Sequence, residues 1–454
     1  MNSKILFSGF LFFIFSASNF LFGQCPTSFV TIRSQSQIDN FIINYPNCTE
    51  INGSLTIEEN VPGNITNLDG LINLTQVETL RIQYNSALTN LNGLNNLTTI
   101  TNDNSSGRLL IRNNQSLQNL NGLENLNEVQ RHLNILENPM LSSIESLGNL
   151  STTTLGIEIR GNSSLISLTG LNGLTIVTGF AISQNDLLIN LSGLNNITET
   201  GTFSIHNNQN LINLEGLNNL ISITHEIGAQ IYSNPSLESF DGIESLVSCN
   251  GLFNITNNTA LTNIEGFVNF TTCLNMFGIS GSPLLTNLNG LENLTSAPTL
   301  GFVNNEQLND ISALSNFDIN SLYQLLLYNN PELAVCNYSN ICQYLDDPSN
   351  DYVVYDNALG CNTREEILQA CGLLSNNENI IENNLSIYPN PTNGIFTISG
   401  IKEGTIQITD SRGRVLKTFN LGSDVTSLEG LSEGVYFANI TNKKGSVTKQ
   451  LIKI

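Results

Sequence analysis

The chain has 454 residues, 40% of them hydrophobic, and a formal net charge of −22. That length exceeds one ordinary compact domain unless the chain is a repeat array growing along one axis, and the apolar content argues against wholesale disorder. Residues 24–383 hold seven Arg against 33 Asp and Glu, a balance of −26 that excludes a nucleic-acid partner, whereas residues 384–454 hold eight Lys and Arg against five acidic residues.

Residues 1–23, MNSKILFSGFLFFIFSASNFLFG, join one Lys to an apolar stretch ending in small residues, the pattern of a secretory signal peptide. Cys25 follows Gln24 rather than a small residue, so lipid attachment is not expected. No later stretch is long and apolar enough to span a bilayer. Export makes disulfides the default reading of the eight cysteines. Residues 24–54 form an N-terminal cap in which Cys25 and Cys48 act as a staple. Within it, Ser36 stands three residues before Asp39, and Ile38, Phe41 and Ile42 share a face, predicting a short capping helix.

Residues 55–332 repeat one phrase: LTNLNGLNNL at 88–97, LQNLNGLENL at 117–126, LINLSGLNNI at 188–197, LINLEGLNNL at 211–220 and LTNLNGLENL at 285–294. Aligned on one Asn per unit, the series runs from Asn60 and Asn85 to Asn330, with Ser282 in one unit, at intervals of 23 to 29 residues. This period belongs to solenoids and predicts a mainly β architecture of about 11–12 coils of ~24 residues with capped ends. A short strand precedes each Asn. Its alternation buries pairs such as Leu80 and Ile82 and leaves the residues between them on an open face. Asn at the turns is suited to satisfying backbone groups, and Gly93 and its equivalents permit a tight turn; Ser146 and Ala313 replace that Gly in two coils. The phrase is scaffold.

Cys249 and Cys273 each stand nine residues before their ladder position, so they stack on adjacent coils as a disulfide or as two thiols. Residues 333–374, with Cys336, Cys342, Cys361 and Cys371, form a C-terminal cap whose TREEILQAC carries a second capping box, Thr363 to Glu366. A polar linker, SNNENIIENN at 375–384, precedes a region of short alternating strands with Gly, Asn and Pro turns at 385–454.

The opening CPTSFVTI…FIINYPNCTEINGSLTI, followed by L-x-I-x-x-N units, resembles the receptor L domain, a right-handed β-solenoid related to leucine-rich repeats. The resemblance covers roughly residues 25–372. By analogy with leucine-rich-repeat caps, it implies Cys336–Cys361 and Cys342–Cys371 among the three possible connectivities. The blocks SIYPNPTNG (386–394), ITDSRGRV (408–415), LSEGVYFANI (431–440) and the terminal KQLIKI resemble the C-terminal sorting domain of the type IX secretion system of Bacteroidetes. That family implies a small β-sandwich recognised by the secretion machinery, with Tyr388, Pro389, Asn390, Pro391, Gly394, Gly434 and Tyr436 as signal positions. The implied destination is the surface of, or the medium around, a Gram-negative Bacteroidetes cell.

Catalytic chemistry is not apparent. The three His (132, 206 and 225) form no ligand spacing, no nucleophile elbow or phosphate loop occurs, and DDPSND at 346–351 lacks the spacing of a calcium loop, so no metal or cofactor is expected. Sequons such as Asn96-Leu-Thr and Asn196-Ile-Thr reflect composition. Five of the body's seven Arg fall at 81, 108, 112, 131 and 160. Arg81, Arg112 and Arg160 occupy outward strand positions, with Tyr84, Tyr232 and Tyr328 on the same side or its rim. Either these arginines receive a carboxylate or sulfate, or they pair with Glu78, Glu137 and Glu158 and only solubilise the face. The leading expectation is a non-catalytic, surface-displayed binding or adhesion protein for glycan or protein. A solenoid polysaccharide lyase and a purely structural surface spacer are the alternatives.

Overall fold

The computed structural model describes residues 25–26, 29–101, 107–373, 385–421, 426–442 and 445–454. The signal segment 1–23, most of the loop 101–108 and the linker 375–384 lie outside them. The chain divides into two compact units, Met1–Arg364 and Glu365–Ile454.

The first unit is built on one 20-stranded sheet. From Val30–Ile32 and Glu50–Ile57 through Gln76–Gln83 and Arg108–Arg112 to Gln324–Tyr328, each main strand pairs in parallel with the one a coil earlier. The inward pairs Leu80/Ile82, Leu133/Ile135, Phe203/Ile205 and Phe253/Ile255 are buried. No coil could bury these side chains alone, which is why the phrase must repeat. Where Ala229 interrupts the file of large residues, Phe203 and Phe253 meet across it, ring centroids 6.1 Å apart.

The solenoid is longer than 55–332. Val30–Ile32 adds a strand inside the cap segment, and Asp351–Tyr355 adds one after Gln324–Tyr328. The DDPSND run therefore leads into another coil. Tyr344, buried in the helix Ser339–Asp346, bridges the two coils by donating its hydroxyl to the Tyr323 and Asp351 carbonyls. Burial and the charge of Asp351 push that phenol up to about 12.

The ladder Asn from Asn85 to Asn330 are wholly buried, and their side chains bond the neighbouring coils. Asn208 illustrates the unit: its oxygen accepts the Asn185 amide at 3.1 Å, and its Nδ2 donates to the Ile182 carbonyl at 3.0 Å and to Asn234 at 3.2 Å. The ladder starts at Asn85 rather than Asn60, which is exposed. Glu59 takes the end position: its amide donates to Asn85, and its carboxylate accepts from Ser86, Gly63 and Ile65. At the far end Asn357 continues the series beyond Asn330. Ser282 is the gap, its buried hydroxyl without a partner.

A second, exposed file lies across the coil. Asn96 donates to the Ile72 carbonyl and Thr98 to that of Thr75, each one coil back, and Asn196 and Asn219 repeat the contact. The frequent N-x-T triplets are thus two hydrogen-bonding rungs separated by a core residue. Gly93 has φ +105, and an added Cβ would lie 2.1 Å from the Leu68 carbonyl, so only Gly lets the coils approach. Where Ser146 and Ala313 stand instead, a 3₁₀ turn replaces that conformation.

The N-terminal helix is Gln35–Asp39, capped by Ser34 rather than Ser36. The Ser34 hydroxyl accepts the Gln37 amide, two residues earlier than expected, and the Gln37 side chain reaches back past the cap to accept the Arg33 amide. Cys25–Cys48 and Cys336–Cys361 are disulfides, and Cys342 and Cys371 are disulfide-bonded as well. Cys249 and Cys273 are register neighbours but remain buried thiols. Each has a backbone acceptor besides its neighbour's sulfur, Cys249 at Leu252 and Cys273 at Gly251 and Met276. The hydrogen bond with Cys249 and burial push the Cys273 thiol well above its ordinary value.

The helix Arg364–Ala370, at the boundary between the units, follows Thr363 and buries Ile367 and Leu368. Beyond it, a three-stranded sheet and a four-stranded antiparallel sheet enclose Phe396, Ile406, Ile408, Ile440 and Leu451. No helix among the described residues is long and apolar enough to cross a membrane.

Candidate functional site

The open face of the main sheet carries three rows, found by counting back two, four and six residues from each ladder Asn. The first row holds Arg112, Leu136, Arg160, Ser183, His206 and Tyr232 in successive coils. The second holds Arg81, Leu110, Asn134, Glu158, Ala181 and Ser204. The third begins with Arg108 and His132 and continues through Gly156.

This register separates the three arginines expected to act together. Arg81 lies in the second row and donates to Ser54 at 2.6 Å. Arg112 and Arg160 lie two coils apart in the first row and converge on Glu137, at 3.6 and 3.2 Å, while Arg160 also meets Glu158 at 3.4 Å. Asn134 donates to Glu158 at 3.1 Å, and the Arg112 guanidinium lies over the Tyr84 ring, 5.7 Å from its centroid. Two arginines thus meet two carboxylates, and the network presents no surplus cation. Asn134 Oδ1 within it has no hydrogen-bond partner.

Tyr84 and Glu137 occupy the residue just before the ladder Asn, at φ 58° and 57°. Asn and Gly take this left-handed position in most coils, as at Asn113, Asn207, Asn257 and Gly161. Bulky or charged residues here accept a conformational cost, and such positions concentrate where the side chain has a task.

Tyr232 stands three coils beyond Arg160, about 14 Å along the sheet at ~4.8 Å per strand, and stacks on His206 at 4.4 Å with planes 6° apart. Tyr328 is four coils farther on and stacks on Tyr355 at 4.8 Å. The six candidate residues therefore fall in four places, and only Tyr84, Arg112 and Arg160 share a network. His206 lies on the open strand face, as the count from Asn208 predicts; His132, expected between strands, instead opens the strand His132–Leu136, and Asn134, which the sequence did not single out, shares its face.

Between the ion-pair network and the His206–Tyr232 stack lies a cavity of about 330 Å³. Its walls include His132, Asn134, Glu158, Thr202 and Ser204, and its floor is Ile157, Phe180 and Phe203. The two phenyl rings stack at 5.1 Å. The space exists because Gly156, Gly179 and Ala181 put almost no side chain there. Burial, then the charges of Arg108 and Arg131, hold the His132 imidazole below its ordinary value; burial and Arg160 do the same for His206.

On the other side of the coil, Asp241, Glu244, Glu265 and Glu292 surround a second cavity of about 580 Å³. Glu244 and Glu292 accept the Gly242 and Gly290 amides, as Asn95 and Asn195 do elsewhere. They serve the turn. Among the described residues no group of three or more His, Cys, Asp or Glu is placed to hold a metal ion.

In the C-terminal unit the signal positions gather around the last strand, Gly445–Lys453. Asn390 donates to the Gln450 carbonyl and accepts the Ile452 amide, both at 2.8 Å, and Thr392 exchanges backbone bonds with Ile452 and Ile454. Tyr388–Pro389 and Asn390–Pro391 are cis, and the Gly394 amide donates to Thr392 Oγ1 at 3.1 Å. Tyr436, in the strand that starts at Gly434, donates its hydroxyl to the Ser432 carbonyl at 2.7 Å.

Two family models match the chain: Receptor L domain over residues 47–153 and Secretion system C-terminal sorting domain over residues 386–454. The solenoid thus carries a receptor L domain match over its first coils, and the C-terminal unit carries a type IX sorting domain. The sorting domain indicates export to the cell surface or secretion in Bacteroidetes, handled by the type IX machinery. The Receptor L match ends at Thr153, whereas coils of the same parallel pairing run on to Tyr355, so the cleft straddles the edge of the matched region. A search of the curated proteins returns no match.

Proposed function

We propose that the solenoid is a non-catalytic binding module displayed outside the cell, and that it recognises glycan or protein ligand with the open sheet face. The observation that carries this reading is the division of labour between side chains. The Leu, Ile and Phe files and both Asn files are consumed in holding coil to coil. The ion pairs around Glu137 also cross from coil to coil, but they do so with half-exposed side chains on the open face beside the cleft, and they hold Tyr84 and Glu137 at a costly backbone position. Both carboxylates of the network are committed to arginines, which favours recognition over acid–base chemistry.

The test uses the purified full chain against a panel of glycans and cell-surface proteins. A triple variant on the face, His132→Ala, Arg160→Ala and Tyr232→Ala, should lose whatever ligand the wild type binds. A control triple across the coil, Ser142→Ala, Thr262→Ala and Asn309→Ala, should keep it. Equal binding by both variants would refute the placement of the site.

A further inference from the structure

Resting on that reading, we infer that the cleft over Phe180 and Phe203 is a subsite for one or two uncharged sugar rings. Three features define the occupant. The first is size: about 330 Å³ lies at the small end of ligand cavities. The cleft spans the strands from His132–Leu136 to Glu199–His206, roughly 14 Å at ~4.8 Å per strand, room for one or two pyranose rings and no more.

The second feature is amphipathy. The floor is apolar and aromatic, and the walls offer the Ser204 hydroxyl, the Thr202 hydroxyl, the Asn134 amide and the His132 imidazole. Thr202 donates its own proton to the Gly228 carbonyl and so faces a ligand as an acceptor, while Asn134 Oδ1 has no donor. A sugar ring has the same division, with C–H groups on its faces and hydroxyls around its rim. Just beyond Ser204 along the same strand, the His206–Tyr232 stack adds a flat surface of the kind on which sugar rings lie.

The third feature is charge. The one carboxylate that lines the cleft, Glu158, is matched by Arg160, and Arg112 and Arg160 together are matched by Glu137 and Glu158; Arg108 and Arg131 act on His132 from outside the lining, so no cation of the lining itself is there to receive an anion. A uronate or sulfated sugar would meet Glu158 directly, inside a body whose net charge is strongly negative. A lipid chain or an apolar peptide would leave the polar walls unpaired on binding.

The experiment is calorimetric titration of the full chain with neutral hexaoses (cello-, xylo-, manno-, malto- and laminari-linked) and with oligogalacturonate and oligoalginate. At least one neutral series should bind. Ser204→Trp, which fills the cleft from an outward position, should weaken that binding at least tenfold, and Ser280→Trp, outward in a distant coil, should not. Equal melting temperatures of the two variants exclude misfolding as the cause. Tighter binding of the acidic sugars, no binding of any sugar at millimolar concentration, or no effect of Ser204→Trp would each overturn the subsite. If a ligand ignores Ser204→Trp but is lost in the face triple, the sugar subsite fails while the binding reading stands. If the face triple also keeps every ligand, the binding reading fails with it.

Discussion

Replacing Asn208 with Ala should break the solenoid in its middle. The side chain is wholly buried and makes three bonds: it accepts from the Asn185 amide and donates to the Ile182 carbonyl and to Asn234. Truncation leaves the Asn185 N–H and the Ile182 carbonyl deprived of this partner inside a core that water does not reach. Each orphaned buried group costs about 1–3 kcal/mol, so the expected loss for the two is about 2–6 kcal/mol. Asn196→Ala supplies the comparison, because its single bond to the Asn172 carbonyl is exposed and should be worth only about 0.5–1 kcal/mol. Urea denaturation followed by circular dichroism gives the two losses, and hydrogen exchange gives their location. In Asn208→Ala the amides of Asn185 and of the flanking strands should lose protection together, since coils are stable only against their neighbours. Equal losses for the two variants, or an Asn185 amide as protected as in the wild type, would refute the ladder as the device that holds coil to coil.

Ser282→Asn should act in the opposite sense. It restores a partner one coil on from Asn258 and replaces an unsatisfied hydroxyl, for a gain of about 1 kcal/mol readable as a raised urea midpoint. Cys249 and Cys273 should resist a thiol reagent in the folded chain and titrate as two thiols once it is unfolded; reaction of either at the folded rate of an exposed cysteine would contradict their burial. Acid should destabilise the solenoid in two stages. His132 and His206 have lowered folded values, so the unfolded chain takes up their protons first, and stability falls as pH drops through 6.5 and below. Burial pushes Glu59 upward but its hydrogen bonds to Ser86, Gly63 and Ile65 outweigh that and lower it, so its contribution is present above 4.5 and lost as pH falls through the lowered value. His132→Gln with His206→Gln should remove the first stage and leave the second.

The coil period, the core pairs and the ladder were legible in the sequence because stacking fixes them rigidly: Leu and Asn recur at set offsets, and indels are confined to one segment of the coil. The ends were harder to read. Glu59 does the work assigned to Asn60 because the terminal amides need an acceptor and a carboxylate serves as well as an amide. The last coil, DYVVYDN, lacks the Leu-rich phrase, so its ladder residue Asn357 went unnoticed. On the open face, which residues point outward was readable, but their pairing was not. Arg81 and Arg112 differ by one row, a matter of two residues, and that step sends one to Ser54 and the other to Glu137. The cleft escaped notice because it is made by what Gly156, Gly179 and Ala181 lack.

The claim that the face exists for recognition rather than for stability rests most directly on Glu137. It sits at φ 57°, where Asn is tolerated better, and it joins Arg112 to Arg160. Glu137→Asn relieves the backbone and removes the carboxylate at one stroke. The measurement is the Kd of the ligand found in the panel, taken beside the urea midpoint of the same protein. The expected result is binding weakened at least tenfold with stability unchanged or raised by up to about 1 kcal/mol. Unchanged binding with a clear loss of stability would mean that the network serves the scaffold, and that the recognition surface lies elsewhere.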